Sequence, residues 1–302
     1  MTASSNANNK NTHRDDWSEY WAKGFASSFA GQEYEGAIAD HWYSTISELA
    51  DGATVLDLCC GSGSIFRLID SEQRRRLNLV GVDYAKLPPT DQNDFKLIGE
   101  TNIEQLPFED QSFDLVISQF GIEYADINRA IQEAQRVVKS KGRMSFICHH
   151  PRSAIVSNNK SIHSCTTQIL DRALPDLKQM AKGLDLMHKA NPLGRVLADR
   201  YRDSFNSTMS SLLSEFGGTV YETGFPDALK KILSAKAAGE AEATLCAFER
   251  SFAHAQNRLS QLFNAAQAAA GLQQESRAKH FNFQKFRGAR SERLGTLISS
   301  RI

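Results

Sequence analysis

Nowhere in the 302 residues does an apolar run approach the ~18–20 residues needed to cross a bilayer, which excludes a helical membrane span. Net charge is missing too: 35 Lys and Arg balance 35 Asp and Glu. That balance removes any general electrostatic pull toward nucleic acid or an anionic membrane and leaves only local patches. Cysteine is scarce and odd in number, with five residues at 59, 60, 148, 165 and 246. Their spacing fits neither a zinc knuckle nor a disulfide framework, and the adjacent Cys59 and Cys60 cannot form a structural bridge. Reduced thiols in a cytoplasmic protein without a bound metal are therefore expected. Residues 1–16 (MTASSNANNKNTHRDD) lack the apolar centre of a signal peptide and read as a disordered tail. No internal repeat is visible.

What is present is apolar: 41% of the residues are hydrophobic, enough for a globular core in one or two domains. Between 53 and 150, short apolar runs alternate with amphipathic stretches. The runs are 53–60 (ATVLDLCC), 78–83 (NLVGVD), 95–99 (FKLIG), 113–120 (FDLVISQF) and 143–149 (RMSFICH). Runs of this length rich in Val, Ile, Leu and Phe mark strands buried on both faces, as in a parallel sheet. Residues 64–77 and 127–139 lie between them with helical spacing; Asp126 is placed to cap the second helix and Gly142 to follow its end. Strands alternating with helices predict an α/β fold with a doubly wound, mostly parallel sheet. From 151 to 240 the texture turns helical, punctuated by Pro175, Pro192, Gly217, Gly218 and Pro226, and reads as a separate subdomain. Residues 241–271 form a long helix candidate whose stripe (Leu245, Phe248, Phe252, Leu259, Leu262, Ala266) suits packing on the sheet or a coiled-coil seam. Residues 281–286 and 294–302 read as two final strands.

The strongest chemical signal is VLDLCCGSGSI, residues 55–65, where a buried strand passes through Gly61, Ser62 and Gly63 straight into a helix. Glycines at such a turn allow positive φ and close approach of a ligand to backbone. N–H groups at the helix start then face an anion. A dinucleotide fingerprint would have a third glycine where Phe66 stands, so the pattern departs from NAD binding.

Asp57, Gly61 and Gly63 in this order resemble motif I of class I S-adenosylmethionine-dependent methyltransferases, with Cys59 where the family usually has its first glycine. LVGVDYA (79–85), GETNIEQLPFEDQSFDLVISQFGIEYAD (99–126) and RVVKSKGRMSFICHH (136–150) are similar to the motifs that follow in that family, in the same order. The resemblance covers roughly 50–150 and implies a seven-stranded sheet with a reversed last strand and a helical insertion after strand five. It implies S-adenosylmethionine (SAM) as cofactor, with Asp83 accepting from the ribose hydroxyls and Asn102 and Ile103 flanking the adenine. Asp57 would meet the ligand's ammonium; the alternative for it is a cap on the turn's own N–H groups. The segment before strand one often covers the cofactor in this family, which singles out Trp21 and Tyr34 from an aromatic cluster that would otherwise be a buried helix face.

His149 and His150 end strand five and Gln119 ends strand four, so all three belong to the carboxyl rim where open α/β sheets bind ligands. Either histidine is a candidate base toward the methyl acceptor, or a structural histidine at the sheet edge. The implied activity is methyl transfer to a small or medium-sized acceptor held under the 151–240 segment acting as a cap. Two alternatives remain. Seven Lys or Arg after residue 276, interleaved with Phe281, Phe283 and Phe286, would suit RNA or protein methylation. A non-catalytic SAM-binding protein would use the helical region for partner contact.

Overall fold

The computed structural model describes residues 14–28, 32–91, 93–272 and 281–301. The expected tail lies mostly outside them, but residues 14–16 belong to a helix, α1 (14–22), in which Asp16 is buried and accepts a hydrogen bond from Gln261 Nε2 at 3.0 Å. The chain divides into two units, residues 1–156 with 260–302 and residues 157–259.

The first unit is a seven-stranded sheet: β1 (Thr54–Leu58), β2 (Asn78–Val82), β3 (Lys96–Ile98), β4 (Phe113–Gln119), β5 (Val138–Cys148), β6 (Asn282–Arg287) and β7 (Arg293–Arg301). Its order is β3-β2-β1-β4-β5-β7-β6. β1 to β5 pair in parallel, while β7 runs antiparallel to both β5 and β6. Successive side chains enter different cores, which is why the strand sequences read as unbroken apolar runs. Leu56, Leu58 and Val116 join one core with α5 (Ile127–Val137) and with Ala269 and Leu272. Val55, Leu115 and Ile117 join the other with Ile38, Trp42 and Ile46 of α2 (Gly36–Ser47). The strand order reverses beside β1, whose neighbours are β2 and β4, and this places a crevice at the carboxyl ends of those three strands.

Local sequence explains most boundaries and corrects two expectations. The 64–77 stretch is two short helices, α3 (Ser64–Arg67) and α4 (Ser71–Arg76), because Asp70 starts a new helix by accepting the Gln73 N–H at 2.8 Å. Asp126 caps α5 as expected, accepting from the N–H groups of Asn128 and Arg129. Gly142 does not follow that helix. Val138 is already extended and pairs with Phe113, so Gly142 lies inside β5 at an irregularity in the β4–β5 register. A side chain there would press on Val138 and on the Asp114 carbonyl.

Phe281 and Phe283 pack into one core and Phe286 into the other. The aromatic alternation of the basic segment is thus used inside the fold and not as a stacking platform for bases. Among the described residues, no helix is long and apolar enough to cross a membrane and no group of acidic, His and Cys side chains is placed to hold a metal ion.

The second unit is helical. It contains most of α6 (Ala154–Gln168), a π-helical turn (Ile169–Ala173), α7 (Leu174–His188), α8 (Leu193–Phe216), α9 (Thr219–Glu222), α10 (Phe225–Leu233) and the first part of α11 (Glu240–Leu272). Its core is its own, built on Leu177, Phe205, Leu212, Phe225 and Ile232. Leu245 and Phe248, from the apolar stripe of α11, pack here. Asp185 of α7, 3% exposed, closes the start of α11 by accepting from the N–H groups of Gly239, Ala241 and Glu242 at 3.0–3.3 Å. Replacing Asp185 with Ala orphans these donors, so urea unfolding followed by circular dichroism is expected to show a loss of roughly 1–3 kcal/mol. Asp185→Asn, which keeps one acceptor oxygen, should fall between. A loss below about 0.5 kcal/mol in Asp185→Ala would show that the cap is unnecessary.

Candidate functional site

The site begins with the turn that ends β1. Cys59, Gly61 and Gly63 have φ of 59°, 52° and 81°, all in the left-handed region. Gly63 is the N-cap of α3. Glycine enters that region freely, whereas a residue with a Cβ is held there at a cost on the order of 1–2 kcal/mol. Cys59 therefore stands where glycine would be relaxed, and its neighbour explains how it fits. A side chain on Gly121 would collide with the Cys59 Cβ, so the bare Gly121 backbone is what leaves room for the thiol. Burial, with the charges of Asp83, Glu123 and Asp57, pushes the Cys59 thiol well above its ordinary range and keeps it protonated. Gly61 has a different neighbour: a Cβ there would strike the Trp21 indole, which lies against the turn's backbone.

Two carboxylates sit beneath this turn. Asp83, just past β2, accepts the Gly61 N–H on one oxygen and the Ala85 N–H on the other, each at 2.8 Å. Burial outweighs those bonds and pushes its carboxyl up to about 6. Asp57 on β1 is 1% exposed, and neither oxygen has a hydrogen-bond partner among the described residues. It does not cap the turn. Burial and the neighbouring Asp83 raise its carboxyl well above the ordinary range. An unpartnered buried carboxylate is costly, and its natural complement is a cation.

Asp57, Cys59, Asp83, Asn102, Ile103, Gln119, Trp21 and Tyr34 all line one cavity. Gly61 and Gly63 shape the turn behind it without lining it. Ile103 is buried, whereas Asn102 is exposed and its Oδ1 accepts the Glu104 N–H at 3.0 Å, so its amide nitrogen is the group that local structure leaves for a ligand. Gln119 accepts the Trp42 Nε1–H at 2.6 Å, while its own Nε2 has no partner among the described residues. The Tyr34 hydroxyl lies 3.1 Å from Ser28 Oγ, and burial raises its pKa. Three rings close the opposite wall. Trp17 stacks on Trp21 at 6.1 Å and meets Tyr124 edge-on at 5.8 Å.

Neither histidine is brought to this cavity. His149 is 5% exposed and lies behind Phe120, their rings stacked at 4.1 Å. Phe120 is the ring that lines the cavity. Burial depresses the His149 imidazole to about 3, so the ring is neutral near pH 7. His150 accepts the Arg152 N–H on Nδ1 at 3.1 Å, and partial burial with the charges of Arg293, Arg152 and Lys285 depresses it to about 4. Counting strand ends puts both histidines at the rim, but Phe120 fills the space between His149 and the cavity. The sequence singles out Trp21 and Tyr34 from the aromatic cluster but not Trp17 or Trp42, which belong to the same cluster. Trp17 is legible one turn before Trp21 on the same helix face. Trp42 reads only as a core aromatic, because its partner Gln119 is 77 residues away.

Comparison with known proteins adds a likeness over part of the chain. Residues 56–146 match the type 11 methyltransferase domain model. An uncharacterized protein of Methanocaldococcus jannaschii is 36% identical over 104 residues, 33% of this chain and 38% of its own length. The ubiquinone/menaquinone biosynthesis C-methyltransferase UbiE of Rickettsia massiliae is 36% identical over 107 residues, 31% of this chain and 42% of its own. The matches thus span about two fifths of the length of these relatives. Among solved structures, the putative methyltransferase in complex with the Haloferax volcanii Trm112 activator is 24% identical with a TM-score of 0.38, covering 45% of this chain and 60% of that one.

The Cys59–Gly121 packing makes a direct prediction. Gly121→Ala is expected to cost about 1–3 kcal/mol in urea unfolding, because its methyl overlaps the Cys59 side chain. In a Cys59→Gly background much of that cost should vanish, leaving the milder contacts with Ser118 Oγ at 3.0 Å and the Leu58 carbonyl at 3.2 Å. A coupling of about 1 kcal/mol or more is the expected outcome of the double-mutant cycle. Additive costs would mean that the two positions do not compete for space.

Proposed function

We propose that this protein is a methyltransferase that binds SAM in the cavity at the carboxyl ends of β2, β1 and β4 and transfers its methyl group to a small or medium-sized acceptor. The observation that carries the reading is Asp57: a buried carboxylate without a hydrogen-bond partner among the described residues, lining a cavity that Asp83 also lines and that the Gly61 turn backs. These groups fit the cofactor. Asp57 complements its ammonium. Each Asp83 oxygen already accepts one backbone N–H and has lone-pair capacity left for a ribose hydroxyl. The Asn102 amide and the Ile103 side chain suit an adenine edge and face. The rings of Trp21 and Tyr34 offer cation–π attraction of ~0.5–2 kcal/mol to a positive centre.

When bound, SAM supplies an electrophilic methyl on a sulfonium, a leaving group that needs no protonation. The chain's own contribution is then to hold the donor, exclude water with Trp17, Trp21 and Tyr124, and align the incoming acceptor; alignment alone is worth several kcal/mol. His149 and His150 have no place in this scheme as bases at the cavity. The name of the Rickettsia relative, a C-methyltransferase of quinone biosynthesis, supports a small acceptor.

Asp83→Ala is expected to weaken S-adenosylhomocysteine binding at least roughly tenfold by calorimetry, the loss of one charge-assisted hydrogen bond. Unchanged affinity in a folded variant would remove Asp83 from the ribose. The unliganded Asp83 carboxyl titrates near 6, and hydroxyl donors favour its ionised form. Below that pH a proton must be displaced from Asp83 for binding, and the raised Asp57 adds to the loss, so affinity should fall by about tenfold or more per pH unit from 6 to 5. A flat profile from pH 5 to 7 would contradict this. Transfer itself is tested by incubating the protein with radiolabelled SAM and fractionated cell extract. Label in a small-molecule fraction is expected, and label in none would count against the activity.

A further inference from the structure

Two buried polar groups on the cavity wall have no hydrogen-bond partner among the described residues, and they are of opposite character. One is the Asp57 carboxylate and the other is the amide nitrogen of Gln119. Asp57 pairs with Ile117 in the β1–β4 register, so Gln119 lies two residues further along the neighbouring strand, on the same face of the sheet. Neither is an accident of exposure, since Asp57 is 1% and Gln119 6% exposed.

The direction of the Gln119 amide is fixed by chemistry. An indole N–H only donates, so Trp42 Nε1 at 2.6 Å must face the amide oxygen, and the NH2 is left to the cavity. Trp42 is fully buried within the α2 core among Ile38, Ile46 and Leu115 and has no room to turn. The cavity therefore presents a forced hydrogen-bond donor beside a buried acid that becomes a pure acceptor once a cation stabilises its ionised form. A donor there calls for an anionic or carbonyl oxygen, and the acid beside it calls for a cation. The ligand group with both on one carbon is an α-amino acid.

We propose that Trp42 is a positioning residue that locks Gln119 as a donor to the carboxylate of the methyl donor's amino-acid end, next to Asp57 on its ammonium, so that the cavity selects ligands that keep that carboxylate. This inference rests on the SAM reading above and gives it a specificity element. Residues 42, 57 and 119 come from three separate elements, α2, β1 and β4, and meet only in the folded sheet.

The test measures three ligands on the full chain by calorimetry: S-adenosylhomocysteine, its decarboxylated analogue, which keeps the amine, and 5′-methylthioadenosine, which lacks the whole amino-acid end. Wild type should bind S-adenosylhomocysteine about ten-fold or more tighter than the decarboxylated analogue, the worth of one hydrogen bond to a charged group. Gln119→Glu keeps the acceptor for Trp42 but replaces the donor with a negative oxygen. It should weaken S-adenosylhomocysteine by about thirty-fold or more and leave the decarboxylated, cationic analogue unweakened. Trp42→Phe, the gentler change, frees the amide to flip and should weaken S-adenosylhomocysteine about three- to ten-fold with methylthioadenosine unchanged. Retained methylthioadenosine binding reports that the cavity is still folded in each variant. Equal losses for all three ligands, or no discrimination by wild type between the acid and its decarboxylated analogue, would overturn the role of Gln119 and Trp42 while leaving SAM binding intact. Failure of wild type to bind any of the three would overturn the SAM reading and this inference with it.

Discussion

The carboxylate of Asp83 holds the N–H of Gly61 at 2.8 Å, and on that bond the architecture of the cavity depends. It ties the end of β2 to the turn after β1, while the Cys60 N–H to the Val82 carbonyl at 3.0 Å fastens the same junction from the other side. The turn can then run through three left-handed residues and still deliver α3 at a fixed angle. One group thus serves twice. It keeps the backbone in place, and it lies buried where a ligand with hydroxyl donors would favour its ionised form. Asp83, near 6, and Asp57, without a hydrogen-bond partner among the described residues, are both disfavoured as ions until something complements them.

Around that junction the protein tolerates a departure that would otherwise be unfavourable. A cysteine at a left-handed position needs space for its Cβ, and the space comes from a glycine on another strand end, Gly121. Trp21 makes the complementary use of Gly61, lying where a side chain would have been. Glycine is therefore placed twice for access as much as for conformation, once for a thiol and once for an indole. The aromatic segment of α1 packs with the turn and with Tyr124, so that the wall over the cavity is apolar while its floor is acidic. Such a division suits a ligand with a charged, hydroxylated body.

The helical unit follows a separate logic. Its core is distinct, and it satisfies the first N–H groups of its longest helix with a buried aspartate from another helix and not with a local cap. The chemistry of the chain is concentrated in the first unit, with the residues that match the methyltransferase domain.

Much was legible in the amino-acid order alone. The strand runs from 53 to 149, the Asp126 cap, the glycine turn and the acid after β2 are all local patterns, because buried parallel strands and tight turns each demand particular residues at short spacing. The two final strands read locally too, whereas the reversal of β7 came only from the family resemblance, and the α11 stripe marked a helix without showing that Leu245 and Phe248 pack in the helical unit. What stayed hidden depended on distance in sequence. That Phe120 stands between His149 and the cavity, that Gly121 makes room for Cys59, and that Trp42 dictates which way Gln119 points are facts of packing between separate elements. The sequence determined which chemical groups would reach the rim of the sheet. Only the tertiary structure decided which of them face the cavity, because the direction of a buried polar group is set by the one neighbour able to satisfy it, and that neighbour can lie anywhere in the chain.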